Sequence, residues 1–292
     1  QAVIGFDTTV TAVQWDPLDD ISNNGIPDTN AELWDNNPTP NFGNESTAAS
    51  MKVLVASTTT APVGDLGTLT DNEFLTFTNG AQTHTMTFDE VGIIDLDASL
   101  VDLSNDAMDY LGSGATVIGH ARNVGRFYPS ELEVVPHMEP VISRAEARME
   151  TMCIIDPMSL TGMDADKRFT YMGEEFSISF DVQAQNAAGV VTQNYVDGFA
   201  KLANNDLGAG TFSIFEELAG PDNDLSLRRA LGASGVTVSW PGSGEPFRGI
   251  GLVTGRLVFN RESDGSPDGP YADTRVGLNT ADSDGAAIEL NI

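Results

Sequence analysis

Apolar and polar residues alternate in short runs along much of the chain, and the cleanest run is FSISFDVQAQ over 176–185. Phe176, Ile178, Phe180, Val182 and Ala184 fall on one side of an extended backbone, with Ser177, Ser179, Asp181, Gln183 and Gln185 on the other. A period of two is what a strand with one wet face requires. Asn186–Gly189 then reads as a turn, and Val190–Tyr195 as the returning strand. Runs of similar character occupy Val3–Val13, Met51–Ala56, Phe74–Thr78, Thr83–Phe88, Ile93–Leu100, Thr116–Ala121, Val236–Trp240, Gly251–Asn260, Arg275–Leu278 and Ala286–Ile292. Turns rich in Gly, Asn, Asp and Pro divide them. Many short strands at this spacing predict an all-β fold, a tandem of antiparallel β-sandwich (Ig-like) domains.

Helical patterning is scarce. Ser143–Met152 reads as a short helix with Ser143 as its N-cap and Glu146 three residues on. Asp197–Ala203 and Leu225–Leu231 read as a helical turn or two each, and all three are expected as connections over sheet ends. The composition changes near Gly125–Pro129, from a stretch rich in Thr, Asn and Asp to one punctuated by Pro129, Pro136 and Pro140. Such proline spacing suits a linker or an edge strand. It divides the chain into an N-terminal sandwich-like domain, 1–125, and a second sandwich domain, 126–292. No short period repeats, which argues against a solenoid.

A length of 292 residues suits two domains, and 40% hydrophobic residues suffice for packed cores. Charge changes the picture more. With 14 basic against 43 acidic residues the net charge is −29, which opposes contact with nucleic acid phosphates and with anionic lipid. The acidity reads either as solvation in a salt-exposed, marine setting or as cation binding. No run of about 20 apolar residues occurs, so direct membrane insertion is not expected. The chain opens at Gln1, as expected of a mature or excised segment of an exported protein whose targeting signal is already gone. Cys153 stands alone in the sequence, so no internal disulfide is available. Its neighbours Met152, Ile154 and Ile155 suit an inert core thiol; a bond to a segment outside the chain is the other reading.

The usual catalytic motifs are missing, and His84, His120 and His137 are widely spaced. Three acidic loops carry the remaining chemistry. In Asp16–Asp28, with Asp16, Asp19, Asp20, Asn24 and Asp28, the order Asp20, Ser22, Asn24, Gly25 nearly follows an EF-hand loop. Glu32 comes one residue too late, however, and the flanks read as loop. The second loop holds Asp264, Asp268 and Asp273, and the third holds Asp282 and Asp284. Carboxylates alternating beside glycine can wrap a hard cation, which makes Ca²⁺ the candidate cofactor. The same Asp-Gly and Asn-Gly pairs are also ordinary turn formers. A glycosidase needs two carboxylates facing across a cleft, and no pair among 43 acids declares itself. No catalytic residue is therefore assigned and the chain is not expected to be an enzyme; a glycoside hydrolase stands as a distant third reading. Trp34, in the loop Asn30–Asn37, is the candidate contact for a glycan, with loop packing as its alternative.

Several phrases together carry a family resemblance: VGRFYP (124–129), FTYMGEEF (169–176), AQNAAGVVTQNY (184–195), GFAKL (198–202), PDGPY (267–271) and DSDG (282–285). In this order they resemble the domain of unknown function in MshQ-like proteins, large bacterial surface proteins associated with mannose-sensitive haemagglutinin type IV pili. TPNFG (39–43) and DEVG (89–92) fit the region that precedes it. Where the resemblance leads one to expect a cysteine before TPNFG, the chain reads WDNN (34–37), which leaves Cys153 without that partner. Family sequence beyond DSDG is absent, as expected of a fragment or a shortened variant. The resemblance implies a pilus- or envelope-associated structural or adhesion module, a stalk or a binding domain of a surface adhesin, exported to the extracellular side or cell surface of a Gram-negative-type bacterium. Its partners would be other pilus or surface subunits or a surface glycan. A polymer-forming subunit of a surface filament or sheath is the alternative.

Overall fold

A computed structural model of the chain describes residues 1–25, 27–28, 31–45, 51–62, 67–112, 114, 116–135, 142–144, 151–153, 173, 175–216, 231–260 and 274–290. The chain folds as two compact units, Gln1–Phe127 and Tyr128–Ile292. Both are built of β-strands joined by short 3-10 turns, paired antiparallel except for one parallel contact in unit 2, so the all-β, sandwich-like class read from the alternation holds.

Unit 1 contains β1 (Phe6–Thr11), β2 (Met51–Ala61), β3 (Leu69–Thr70), β4 (Glu73–Phe74), β5 (Ala81–Phe88), β6 (Gly92–Asp102) and β7 (Ile118–Phe127). They form two sheets, in the orders β1-β5-β3 and β4-β2-β6-β7. The sheets meet through aromatic rings: Phe6 on β1 and Phe88 on β5 lie 5.1 and 5.2 Å from Phe127 on β7. Val53, Val55, Phe74, Met86, Ile94 and Leu96 fill the space between. The chain enters β5 through Asn79-Gly80, both with positive φ, closed by reciprocal bonds between Thr78 and Ala81. This is the Asn-Gly hairpin that matches strand twist. At Gly80 a Cβ would also run into the Thr39 carbonyl oxygen.

Unit 2 contains β8 (Glu131–Val135), β9 (Ile142–Arg144), β10 (Thr151–Cys153), β11 (Glu175–Gln185), β12 (Phe212–Glu216), β13 (Leu231–Ser239), β14 (Ile250–Phe259), β15 (Thr274–Ala281) and β16 (Ala287–Leu290). Hydrogen bonding runs through one nine-stranded sheet in the order β10-β9-β11-β8-β16-β15-β12, with β14 on β11 and β13 on β14. β11 is its hub. Phe176, Ile178, Phe180, Val182 and Ala184 are all buried, in the register the alternation predicts. Val253 and Leu257 on β14, Leu278 on β15 and Ile288 on β16 are buried with them.

Three local expectations give way to tertiary pairing. Val190–Tyr195 is not a strand. β14 covers one edge of β11 from Glu175 to Gln183, and β9 and β8 cover the other. Val191 and Thr192 therefore reach only the last stretch of β11, through a bridge to Gln185 and a bond from Thr192 N to Ala184 O. The helix read over Ser143–Met152 is also corrected. Ser143 lies in β9, paired with Ser177 of β11, while Thr151 and Met152 lie in β10; 145–150 fall outside the described residues. In the stretch punctuated by Pro129, Pro136 and Pro140, residues Glu131–Val135 form β8, which lies between β11 and β16 and is no edge strand; Pro136 and Pro140 fall outside the described residues. Of the two other helical readings, Asp197–Ala203 shortens to the 3-10 turn Asp197–Phe199, and Leu225–Leu231 lies outside the described residues apart from Leu231, which opens β13.

Candidate functional site

The segment from Val13 to Pro38 is a long loop of unit 1, closed at its base by a bridge between those two residues and by Gln14 N donating to Asn37 O at 2.7 Å. Aspartates shape it. Asp16 caps the 3-10 turn Pro17–Asp19 by accepting from Leu18 N at 2.9 Å. Asp20 is buried and accepts from Gly25 N at 2.7 Å, Asn24 N at 3.0 Å and the Ser22 hydroxyl at 3.1 Å. Burial pushes the Asp20 carboxyl up, but the Gly25, Asn24, Ser22 and Asn23 donors outweigh it and hold the group below the usual carboxylate range. Asp28 folds back, its N–H on Asp19 O at 2.7 Å and its Oδ2 accepting from Ile21 N at 3.0 Å. Asp19 Oδ2 accepts from Asn36 Nδ2 at 2.6 Å. The EF-hand-like spacing thus describes a nested set of carboxylate-capped turns.

Asp282 and Asp284 are placed differently. Asp282 is buried at the turn between β15 and β16, where its Oδ1 accepts from Asp284 N and Ala286 N at 3.0 and 2.9 Å. Its Oδ2 accepts from the Tyr195 hydroxyl at 2.6 Å. That hydroxyl oxygen also accepts from Lys201 N and Leu202 N, at 3.0 and 2.9 Å. Burial pushes the Tyr195 phenol strongly upward, and the Asp282 carboxylate adds to the shift. Tyr195 was no candidate in the sequence; the only signal for it is its place in the shared phrase that ends at 195. Asp264, Asp268 and Asp273 lie outside the described residues, as do His137 and the side chain of Cys153. Among the described residues no three His, Cys, Asp or Glu side chains converge as metal ligands would.

Trp34 sits on the 3-10 turn Leu33–Asp35 and is 81% exposed. Trp15 in the same loop is half exposed, whereas Trp240 packs edge-on to Tyr195 and donates from Nε1 to Leu202 O at 3.0 Å. His120 contacts Ala31 O, and the His84 ring meets Phe74 edge-on, so each has a packing role. A shallow groove of about 550 Å³ opens on the wet side of β11, β13 and β14, lined by Ser177, Ser179, Ser234, Thr254 and Arg256 among others. At its end Ser234 Oγ and Arg256 Nη1 both donate to Glu175.

Comparison with known families adds to this geometry. The model of the second domain of DUF6701 matches residues 2–87, and the model of its third domain matches 90–291. The chain belongs to the DUF6701 family. Among the curated proteins and among the solved structures nothing matches. The two DUF6701 segments meet between β5 and β6, inside unit 1, because β6 and β7 pair into the same sheet as β2. Both acidic loops of known geometry belong to DUF6701 segments, Asp16–Asp28 to the second and Asp282–Asp284 to the third.

Proposed function

We propose that this DUF6701 chain is a non-enzymatic, extracellular module of a pilus- or envelope-associated surface adhesin, of the MshQ-like kind, acting as a stalk or scaffold. The observation that carries this reading is an all-β fold in two units together with a net charge of −29. Strands packed over buried cores suit a fixed scaffold, and the charge keeps such a chain from adsorbing non-specifically to anionic lipid. Among the described residues no helix is long and apolar enough to cross a membrane. Deleting the gene is expected to reduce attachment in a flow cell, with restoration by the full-length gene; unchanged attachment and unchanged piliation would remove the adhesin role. A filament subunit, the alternative, would show as a ladder of multiples by size exclusion.

Calcium enters as a proposal for the Asp16–Asp28 loop. Asp16, Asp19, Asp20 and Asp28 each already accept a chain donor, so a cation would add to a closed turn instead of building it. Affinity then belongs at the weak, extracellular end, about 10⁻⁴–10⁻³ M.

A further inference from the structure

We propose that Trp15, Leu18, Ile21 and Trp34, on the loop between Val13 and Pro38, form a docking platform for a protein partner that presents an apolar patch bordered by Lys and Arg. Leu18, Ile21 and Trp34 are 81, 87 and 81% exposed, and Trp15 is 51% exposed. Single exposed apolar residues are ordinary on any surface, but grouping on one feature marks an interaction site. Here four large ones stand on one loop, whereas the others exposed among the described residues of unit 1 (Ile4, Leu75, Leu103, Leu111 and Ile118) belong to separate segments of the chain.

The loop holds these side chains out. Leu18 and Ile21 have their own backbone N–H groups fixed by the Asp16 and Asp28 carboxylates, at 2.9 and 3.0 Å. The Asn36–Asp19 bond and the His120 contact to Ala31 O tie the two arms of the loop to each other and to β7. Ordering that binding would otherwise require is already in place, which is what a pre-organised contact surface needs.

Charge selects the partner. No Lys, Arg or His precedes Lys52, and the loop carries Asp16, Asp19, Asp20, Asp28, Glu32 and Asp35. Apolar contacts inside an acidic border complement a basic rim, and the same field rejects anionic lipid and a second copy of a −29 chain. A neutral glycan fits less well, because sugars stack on flat rings and two of the three most exposed side chains are aliphatic. The proposal goes beyond the surface-module reading, since the loop binds or fails to bind wherever the chain resides.

The test uses the intact chain labelled with fluorotryptophan, whose three tryptophans give three fluorine resonances. Trp240, bonded to Leu202 O in unit 2, is the internal reference. The probe is a synthetic amphipathic helix of Leu and Lys; the controls are its Glu-for-Lys counterpart, poly-lysine and a panel of neutral oligosaccharides. The Leu-Lys peptide is expected to move the Trp15 and Trp34 resonances, leave Trp240 in place and weaken with salt. The triple variant Leu18→Ser, Ile21→Ser, Trp34→Ser, with circular dichroism matching the parent, is expected to bind the peptide at least about tenfold more weakly, while poly-lysine binds parent and variant alike. Parent-like affinity in the variant overturns the proposal. So does equal binding of the Glu counterpart, or an oligosaccharide that moves Trp34 where the peptide does not.

Discussion

At the scale of the residue, two tyrosines bonded to carboxylates carry the sharpest expectations. Tyr195→Phe keeps the ring against Trp240 but removes the donor to Asp282 and the acceptor for Lys201 N and Leu202 N. Leaving buried partners unsatisfied costs about 1–3 kcal/mol each in the usual case, so a total near the top of that range is expected. It would be read as a lower urea midpoint with an unchanged slope. Tyr110 donates to Glu45, and burial together with that carboxylate pushes its phenol up to about 12. A phenol raised in the folded state stabilises fully below the unfolded value of about 10 and loses that contribution as pH climbs through the folded one. The parent is therefore expected to weaken between about pH 10 and about pH 12 more than Tyr110→Phe does. Equal alkaline loss in the two proteins would mean that the Tyr110–Glu45 bond contributes nothing.

At the scale of the element, β11 is the strand the alternation describes best, and it is the hub of the unit 2 sheet. Phe180 is buried opposite Val253, so Phe180→Ala should cost about 3–5 kcal/mol through the cavity it leaves. Ser179→Ala on the wet face should be nearly silent. Equal losses in chemical denaturation would contradict the register. β11 was legible because its apolar face is buried throughout while its polar face stays partly exposed from Glu175 to Gln183; Gln185, read as wet, is buried at the strand's end. β9 and β10 were not, because three-residue strands are too short to show a period, and the local sequence around Ser143 favours a helix that pairing with β11 overrides. The returning strand failed for a similar reason: both edges of β11 are taken by partners remote in sequence. In the Asp16–Asp28 loop the sequence showed that carboxylates gather, but their donors, above all the backbone N–H groups of Leu18, Ile21, Asn24 and Gly25, exist only in the folded turn. Millimolar Ca²⁺ is expected to raise the melting midpoint slightly over EDTA at matched ionic strength, with Mg²⁺ ineffective. No shift, or an equal one from Mg²⁺, would leave these aspartates as turn caps alone.

At the scale of the whole molecule, the units and the family segments disagree about where the chain divides. DUF6701 segments meet between 87 and 90, whereas the first compact unit runs to Phe127. The structure gives the reason: β2 pairs with β6 from Met51 to Ala61, and Phe127 closes the core against Phe6 and Phe88. A fragment of residues 1–127 is expected to melt cooperatively, and one of residues 1–89, stripped of β6 and β7, is expected to stay unfolded. A folded shorter fragment would show that the family boundary is also a folding boundary. The central claim, that this chain is displayed outside the cell as part of an adhesin, is tested most directly on intact cells with an antibody raised against the whole chain. Labelling is expected without permeabilisation, abolished by protease added to the medium while a cytoplasmic marker survives. Labelling that appears only after lysis would contradict it.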